Sequence, residues 1–163
     1  MPENRKVICC DINNNEKEVI VEKLSFRPSV YGVLIKNNKI LLSRQWNGYD
    51  FPGGGIEMHE TVEEALRREF KEETGIIVKS DKIIACRTSF FILPVSKKPV
   101  NSILIYFLCS KLDGKISTKY FSEDEKKYAN KAEWVELDKI NKIKFHNSID
   151  SVKVVNETIK LID

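Results

Sequence analysis

The 163 residues are enough for one ordinary domain with a sizeable core, and the whole span 1–163 reads as a single unit. A hydrophobic content of 42% beside 31% charged residues excludes a disordered or fibrous chain. The 27 basic and 24 acidic residues leave a net charge of +3, too little to argue for a nucleic-acid or membrane surface, so neither partner is expected.

Taken in chain order, the start MPENRKVICC lacks an apolar segment of signal-peptide length, and no run approaches the ~18 apolar residues of a membrane span. KVICCDI and EVIVEKL flank an Asn-rich stretch and predict a hairpin. SVYGVLIK and KILLSRQ flank Asn37-Asn38 and predict a second, since Asn tolerates left-handed backbone. Beyond a glutamate-rich segment, KIIACRTSFFIL and NSILIYFLCSKL predict long strands and AEWVEL a short one. Ile149, Val152, Val155, Ile159 and Ile162, spaced by three and four, predict an amphipathic helix over about 148–162. Strands before, between and after helices imply a mixed sheet with a helix on each face. Cys9, Cys10, Cys86 and Cys109 form no C-x-x-C pair and are too sparse for a disulfide framework, so reduced thiols and a cytoplasmic location are expected.

The chemistry concentrates in GGGIEMHETVEEALRREFKEETGI. Thr61 and Glu64 fit the capping box T-x-x-E and predict a helix start at Thr61, with Gly75 as its stop. At ~100° per residue, Val62, Ala65, Leu66 and Phe70 form the apolar stripe. Glu69 and Glu73 fall within that stripe, Glu72 at its edge, and Glu63, Arg67, Lys71 and Thr74 opposite. Glu63–Arg67 and Glu64–Arg68 are favourable i,i+4 pairs. Solvated helix charge accounts for Glu63 and Glu64 but not for Glu69, Glu72 and Glu73, which would repel one another and lose hydration on an inward face. Arg68 can neutralise one of them, with Glu72 the expected partner at i+4. The others call for a cation, and carboxylates at i, i+3 and i+4 offer hard oxygens of the kind Mg²⁺ accepts. Pro52-Gly53-Gly54-Gly55, just before, lets backbone approach a metal or phosphate.

The pattern Gly54-x5-Glu60-x7-Arg68-Glu69-Phe70-x-Glu72-Glu73-x-Gly75-Ile76 resembles the Nudix box, G-x5-E-x7-R-E-U-x-E-E-x-G-U, where U is a bulky aliphatic residue. Phe70 is the one departure. The resemblance implies an α/β fold, an α/β/α sandwich with a mixed β-sheet, and a metal-dependent hydrolase of nucleoside diphosphates linked to another moiety. It implies that Glu69, Glu72 and Glu73 take Mg²⁺ (or Mn²⁺), Glu69 and Glu73 as the expected direct ligands, with the Gly53 carbonyl a further ligand. By the same resemblance Arg68 orients a glutamate and Glu60 supports the helix start. Glu69, Arg68 and Glu73 are the candidate catalytic residues, and Arg44, Gly54 and Glu60 the candidate substrate contacts. Glu69 is the first choice of general base, with Glu123, Asp124 and Glu125 second, although loop acids of this kind are more often solvated.

The stretch FPGGGIEMHET resembles antimutator members, which points first to a nucleoside triphosphate, including oxidised purines, cleaved to monophosphate and pyrophosphate. ADP-ribose-type nucleotide sugars and dinucleoside polyphosphates are the alternatives. A non-catalytic nucleotide-sensing module is the alternative of another class, and a homodimer is compatible with either. Tyr128 stands six residues before Trp134, where antimutator enzymes would have a glutamate, so by that resemblance a metal ligand is either missing or supplied by Glu125. Trp46, Tyr49, Phe90 and Phe91 could stack on a base or belong to the core. Asn147 is expected to cap a helix, His59 to lie on the surface and Trp134 in the core.

Overall fold

A computed structural model describes residues 4–162. The expected hairpins form as β1 (Lys6–Cys10) with β2 (Glu16–Ile20), and as β3 (Ser25–Val33) and β4 (Ile35–Lys36) leading into β5 (Lys39–Gln45). Asn37 and Asn38 turn the second with φ of 51° and 60°, the left-handed values for which Asn is suited. Short strands β6 (Gly48–Asp50) and β7 (Gly53–Gly55) precede helix α1 (Val62–Thr74). Two long strands follow, β8 (Ile76–Ile92) and β9 (Pro99–Gly114), then a single turn of helix α2 (Glu125–Tyr128), strand β10 (Ala129–Glu136) and helix α3 (Ser151–Ile162).

The strands make a six-stranded mixed sheet in the order β2-β1-β8-β9-β3-β7 and a smaller one in the order β10-β5-β4, with β6 paired to β5. The β8–β9 hairpin carries three register shifts along its length, irregularities of the kind that let a long ribbon bend and twist. Alternation along the strands sends side chains to two cores. Leu41, Phe107 and Cys109 pack with Ala65, Leu66 and Phe70 of α1. Ile40, Leu42, Leu104 and Tyr106 pack with Val154 and Val155 of α3. One helix therefore covers each side of the strands, in the expected α/β arrangement.

Helix α1 begins as the sequence predicts. The Thr61 hydroxyl accepts from the Glu64 amide, and the Glu64 carboxylate accepts from the Thr61 amide at 2.8 Å. Gly75 ends the helix at φ 78°, a left-handed value that a residue with a Cβ would hold only under strain. Thr74 departs from its predicted outer position. It is fully buried, its hydroxyl donating to the Phe70 carbonyl and accepting from the Ile76 amide, because the last turn tucks under the entering strand. Helix α3 starts three residues later than expected, capped by Asp150, whose carboxylate accepts from the Lys153 amide. Asn147 does not cap it. Its amide oxygen accepts from the Ile149 amide and the Ser151 hydroxyl, and its amide nitrogen reaches Asp50.

All four cysteines are unpaired. Trp134 is half-buried against the α1 core, and His59 is exposed beside Glu57. Among the described residues no helix is long and apolar enough to cross a membrane.

Candidate active site

The C-terminal half of α1 lies against β7 and the end of β5, and this packing sorts its glutamates. Glu73 points inward and is 8% exposed. Its Oε2 accepts from the Ser43 hydroxyl at 2.5 Å and the Gly53 amide at 3.3 Å, and its Oε1 from the Gln45 side chain at 3.4 Å. Burial raises its pKa well above the usual carboxylate range; the Ser43 hydrogen bond opposes this, and the charges of Glu69, Asp50 and Glu125 reinforce it. Glu69 lies one turn earlier, over Gly54. A Cβ at Gly54 would stand 2.6 Å from the Glu69 carboxyl carbon, so a side chain there would push that carboxylate out of its place. Burial raises the pKa of Glu69, and Arg68 opposes the shift. Glu72, at the rim, is raised by burial to the same side.

Arg68 takes a partner that helix spacing does not suggest. Its Nε donates to Glu60 Oε1 at 2.5 Å and its Nη2 to Glu60 Oε2 at 2.8 Å, a two-pronged pair. Its Nη1 donates to Glu69 Oε1 at 2.7 Å and only at 3.4 Å to the expected partner, Glu72. Nη2 also donates to the Gly55 carbonyl. Glu64, the other i,i+4 candidate, is occupied by its cap. The Arg68 guanidinium holds the Glu60 carboxyl down to about 2. One arginine thus ties the loop, the glycine strand and the box helix together.

The sequence places Glu123, Asp124 and Glu125 in a loop and favours solvation for all three. That holds for Glu123 and Asp124, which pair with Lys126 and Lys127 at the surface. Glu125 differs. It opens the short helix α2, is 8% exposed, accepts from the Ser122 amide at 2.6 Å and donates its own amide to the Ser122 hydroxyl. This is a reciprocal Ser-x-x-Glu cap, a signal visible in the sequence. The turn carries Glu125 to α1, where ligand oxygens of Glu69, Glu72 and Glu125 lie within 4.8 Å of one another. Three hard carboxylate donors so close, two of them with pKa values raised by burial, fit a divalent cation, which would offset their mutual repulsion.

A cleft of about 360 Å³ continues from this end past Gly53, Gly54 and Glu73. Along one wall Trp46 and Tyr128 stack with ring centroids 4.3 Å apart and planes at 9°. Phe91, Leu93 and Val100 line another wall, and Asp50 and Asn147 are joined at 2.9 Å in its lining. Of the four aromatics considered from sequence, Trp46 and Phe91 line the cleft, whereas Tyr49 and Phe90 do not. Arg44 also lies outside its lining, bonded to Glu133 at 2.9 Å and to Tyr49. The arginine in the cleft is Arg27, which sequence reasoning passed over. Its Nη1 donates to the Ser29 hydroxyl at 2.7 Å, its guanidinium lies over Gly55, and among the described residues no carboxylate pairs with it. It shares one face of β3 with Ser29 and Tyr31, a period-two pattern that could have found it.

A strand-rich α/β sandwich with a glutamate-bearing helix beside a nucleotide-sized cleft is the architecture of a phosphoanhydride hydrolase. The NUDIX domain family model matches residues 25–153, and the chain belongs to that family: it is a Nudix hydrolase. It is similar to the ADP-ribose pyrophosphatase of Methanocaldococcus jannaschii, 31% identical over 137 residues that make up 81% of this chain and 72% of that one. The RNA pyrophosphohydrolase of Stutzerimonas stutzeri is 41% identical over 71 residues, which is 41% of this chain and less than half, 44%, of that protein. Among solved structures, an ADP-ribose pyrophosphatase from Streptococcus suis aligns with a TM-score of 0.62 at 19% identity, covering 85% of this chain and 92% of that one. A MutT protein from Methanosarcina mazei aligns at 0.58 and 21%, covering 86% and 98%. At these identities the structural likenesses show the fold alone.

Proposed function

We propose that the protein hydrolyses the pyrophosphate linkage of a nucleoside diphosphate joined to a second moiety, with Mg²⁺ as the working ion and Mn²⁺ as a substitute. The observation that carries this is the carboxylate group of Glu69, Glu72 and Glu125, whose chain neighbours Glu73 and Asp124 line a cleft of about 360 Å³. These three would hold the cation, with Glu73 and the Gly53 carbonyl as further donors. A divalent cation held there supplies Lewis-acid chemistry: it offsets the charge of the pyrophosphate and makes a water easier to deprotonate. The chain's own residues do the rest. Glu69 Oε2, the oxygen that Arg68 leaves free, takes the proton of the attacking water. Arg68, anchored on Glu60, fixes that carboxylate. Arg27 offers its free N–H groups to a phosphate oxygen, and Trp46, Tyr128 and Phe91 take the flat base.

For the substrate, ADP-ribose stands first, supported by the relative that matches most of both chains. A nucleoside triphosphate is the second reading, favoured by the box variant around Glu57-Met58. The deciding experiment is a panel with Mg²⁺ and chromatographic separation of products: ADP-ribose, a diadenosine polyphosphate, and canonical and oxidised purine triphosphates. AMP plus ribose 5-phosphate, formed at ten times the kcat/KM of any triphosphate, is the expected result. The reverse ranking makes the triphosphate reading correct, and no hydrolysis of any member removes the proposed function.

A further inference from the structure

The match to the family starts at residue 25, yet the cleft is not closed by residues 25–153 alone. Ile12 also lines it, from the turn between β1 and β2. That turn is held in shape locally. The Asp11 carboxylate accepts from the amides of Asn13 at 2.8 Å and Asn15 at 2.9 Å and from the Asn15 side chain, while Asn14 adopts φ 60°. The hairpin docks through a single parallel pairing, Cys10 beside Phe91, at the end of β8 that borders the cleft. It brings little core of its own: Cys9 and Val19 are its only buried residues, and Ile8 on its outer side is 49% exposed.

From this turn a line of contacts crosses the cleft. The Ile12 carbonyl faces Nδ1 of His146 at 3.3 Å, for which Nδ1 carries the hydrogen. His146 is 5% exposed and packs edge-on against Trp46 at 5.8 Å, and Trp46 stacks on Tyr128. Burial lowers the pKa of His146, so the ring stays neutral and acts as a spacer of fixed shape.

We infer that the N-terminal hairpin is a specificity element of the nucleotide site. Ile12 forms the outer apolar wall of the end that takes a nucleobase, and its carbonyl positions the Trp46–Tyr128 wall through His146. The inference rests on the proposed function for the identity of the ligand, a nucleotide with a large flat base. A hairpin that only covers the edge of β8 would need the backbone pairing at Cys10 and would be indifferent to the side chain at position 12.

The test is calorimetric binding of AMP, UMP and ribose 5-phosphate to the full chain in Mg²⁺, on wild type and on Ile12→Ala, Ile12→Trp and Ile8→Ala. The wild type should bind AMP best. Ile12→Ala should weaken AMP about fivefold or more through lost apolar contact, weaken UMP less and leave ribose 5-phosphate unchanged. Ile12→Trp should exclude AMP more than UMP, and Ile8→Ala should match wild type. Where a member of the panel is turned over, Ile12→Ala should raise its KM with kcat held within about twofold, a split that a loss of stability would not give. Equal effects on all three ligands, no effect, or wild-type AMP binding no tighter than ribose 5-phosphate overturns the inference. Base-dependent binding without hydrolysis of any panel member leaves the wall in place and removes only the proposed reaction.

Discussion

Glu69, Glu72 and Glu125 gather at one end of the site with oxygens within 4.8 Å of one another, whereas the cleft that continues from them is walled by stacked rings and aliphatic side chains. The first region is held in tension. Its carboxylates are half-buried or buried, and one guanidinium, Arg68, bridges three glutamates. The second is held by packing, with few charges, and those it contains are either joined, as Asp50 is to Asn147, or unpaired, as Arg27 is. In the proposed function, charge placed under strain serves a cation and a reacting phosphate, and packed walls serve a base. Substitutions at the first end should therefore act on turnover and those at the second on binding.

The largest effects should come from removing charge at the first end while keeping shape. Glu69→Gln is expected to lower kcat by ~10²-fold or more, the scale of losing a general base or a ligand to the metal. Glu125→Gln should follow with a loss of roughly tenfold, since it removes one of three gathered donors. Glu73→Gln should also lower kcat by ~10²-fold, yet leave the melting temperature unchanged or higher, because a buried charge is relieved and the Ser43 hydroxyl keeps a partner. Glu63→Gln, on the exposed face, is the silent control. Near-normal turnover for Glu69→Gln would remove the assignment of the base, and normal turnover for Glu125→Gln would place that residue outside the site.

At the second end Arg27→Ala should raise KM about tenfold or more and change kcat by less than threefold, the loss expected for one or two charge-assisted hydrogen bonds made equally in ground and transition states. Arg44→Ala supplies the contrast. Arg44 is paired with Glu133, so its removal should spare KM and cost at most about 1 kcal/mol of stability. If Arg44→Ala moves KM and Arg27→Ala does not, the phosphate contact lies where the sequence first put it.

The box helix was legible because its information is local. A cap at Thr61, a stop at Gly75 and a 3.6-residue period place Glu69 and Glu73 without reference to the rest of the chain. Arg68 was legible as a neutraliser but not in its choice of Glu60, because the loop before a helix has no fixed phase relative to it. Beyond the box, the cleft was legible only in Trp46 and Phe91, two of the four aromatics the sequence offers for a base. Ile12, Arg27, Trp46, Phe91, Tyr128 and His146 come from separate elements and meet only through the sheet order, in which β1 joins β8 and β3 joins β9. Glu125 lies between these cases. Its cap was readable in Ser122-x-x-Glu125, but its approach to α1 depends on where β10 pairs with β5.

The smallest effect concerns Asp50, the one carboxylate at the packed end whose environment resembles the charged end. Its Oδ1 accepts from the Asn147 side chain at 2.9 Å and the Phe51 amide at 2.8 Å, and burial outweighs both bonds, pushing the carboxyl up to about 7. The folded chain thus holds this proton more tightly than the unfolded one, where the group has an ordinary value near ~4. Its favourable contribution is complete below pH ~4 and is lost as pH rises through about 7, above which an ionised carboxylate is kept in the cleft lining. Asp50→Asn keeps the shape and the acceptor oxygen and cannot ionise. Relative to wild type it should therefore be stabilised by about 1–2 kcal/mol at pH 8, less than the full shift implies because Asp50 is only half-buried, and the gain should vanish toward pH 4.5. Part of the gain comes through Glu73, whose pKa the Asp50 charge also raises; the Glu73→Gln background separates the two. Denaturant unfolding of both chains from pH 4.5 to 8 gives the difference directly. A difference that does not change with pH would mean that Asp50 titrates as an ordinary exposed acid, and the packed end would then hold no charge under strain.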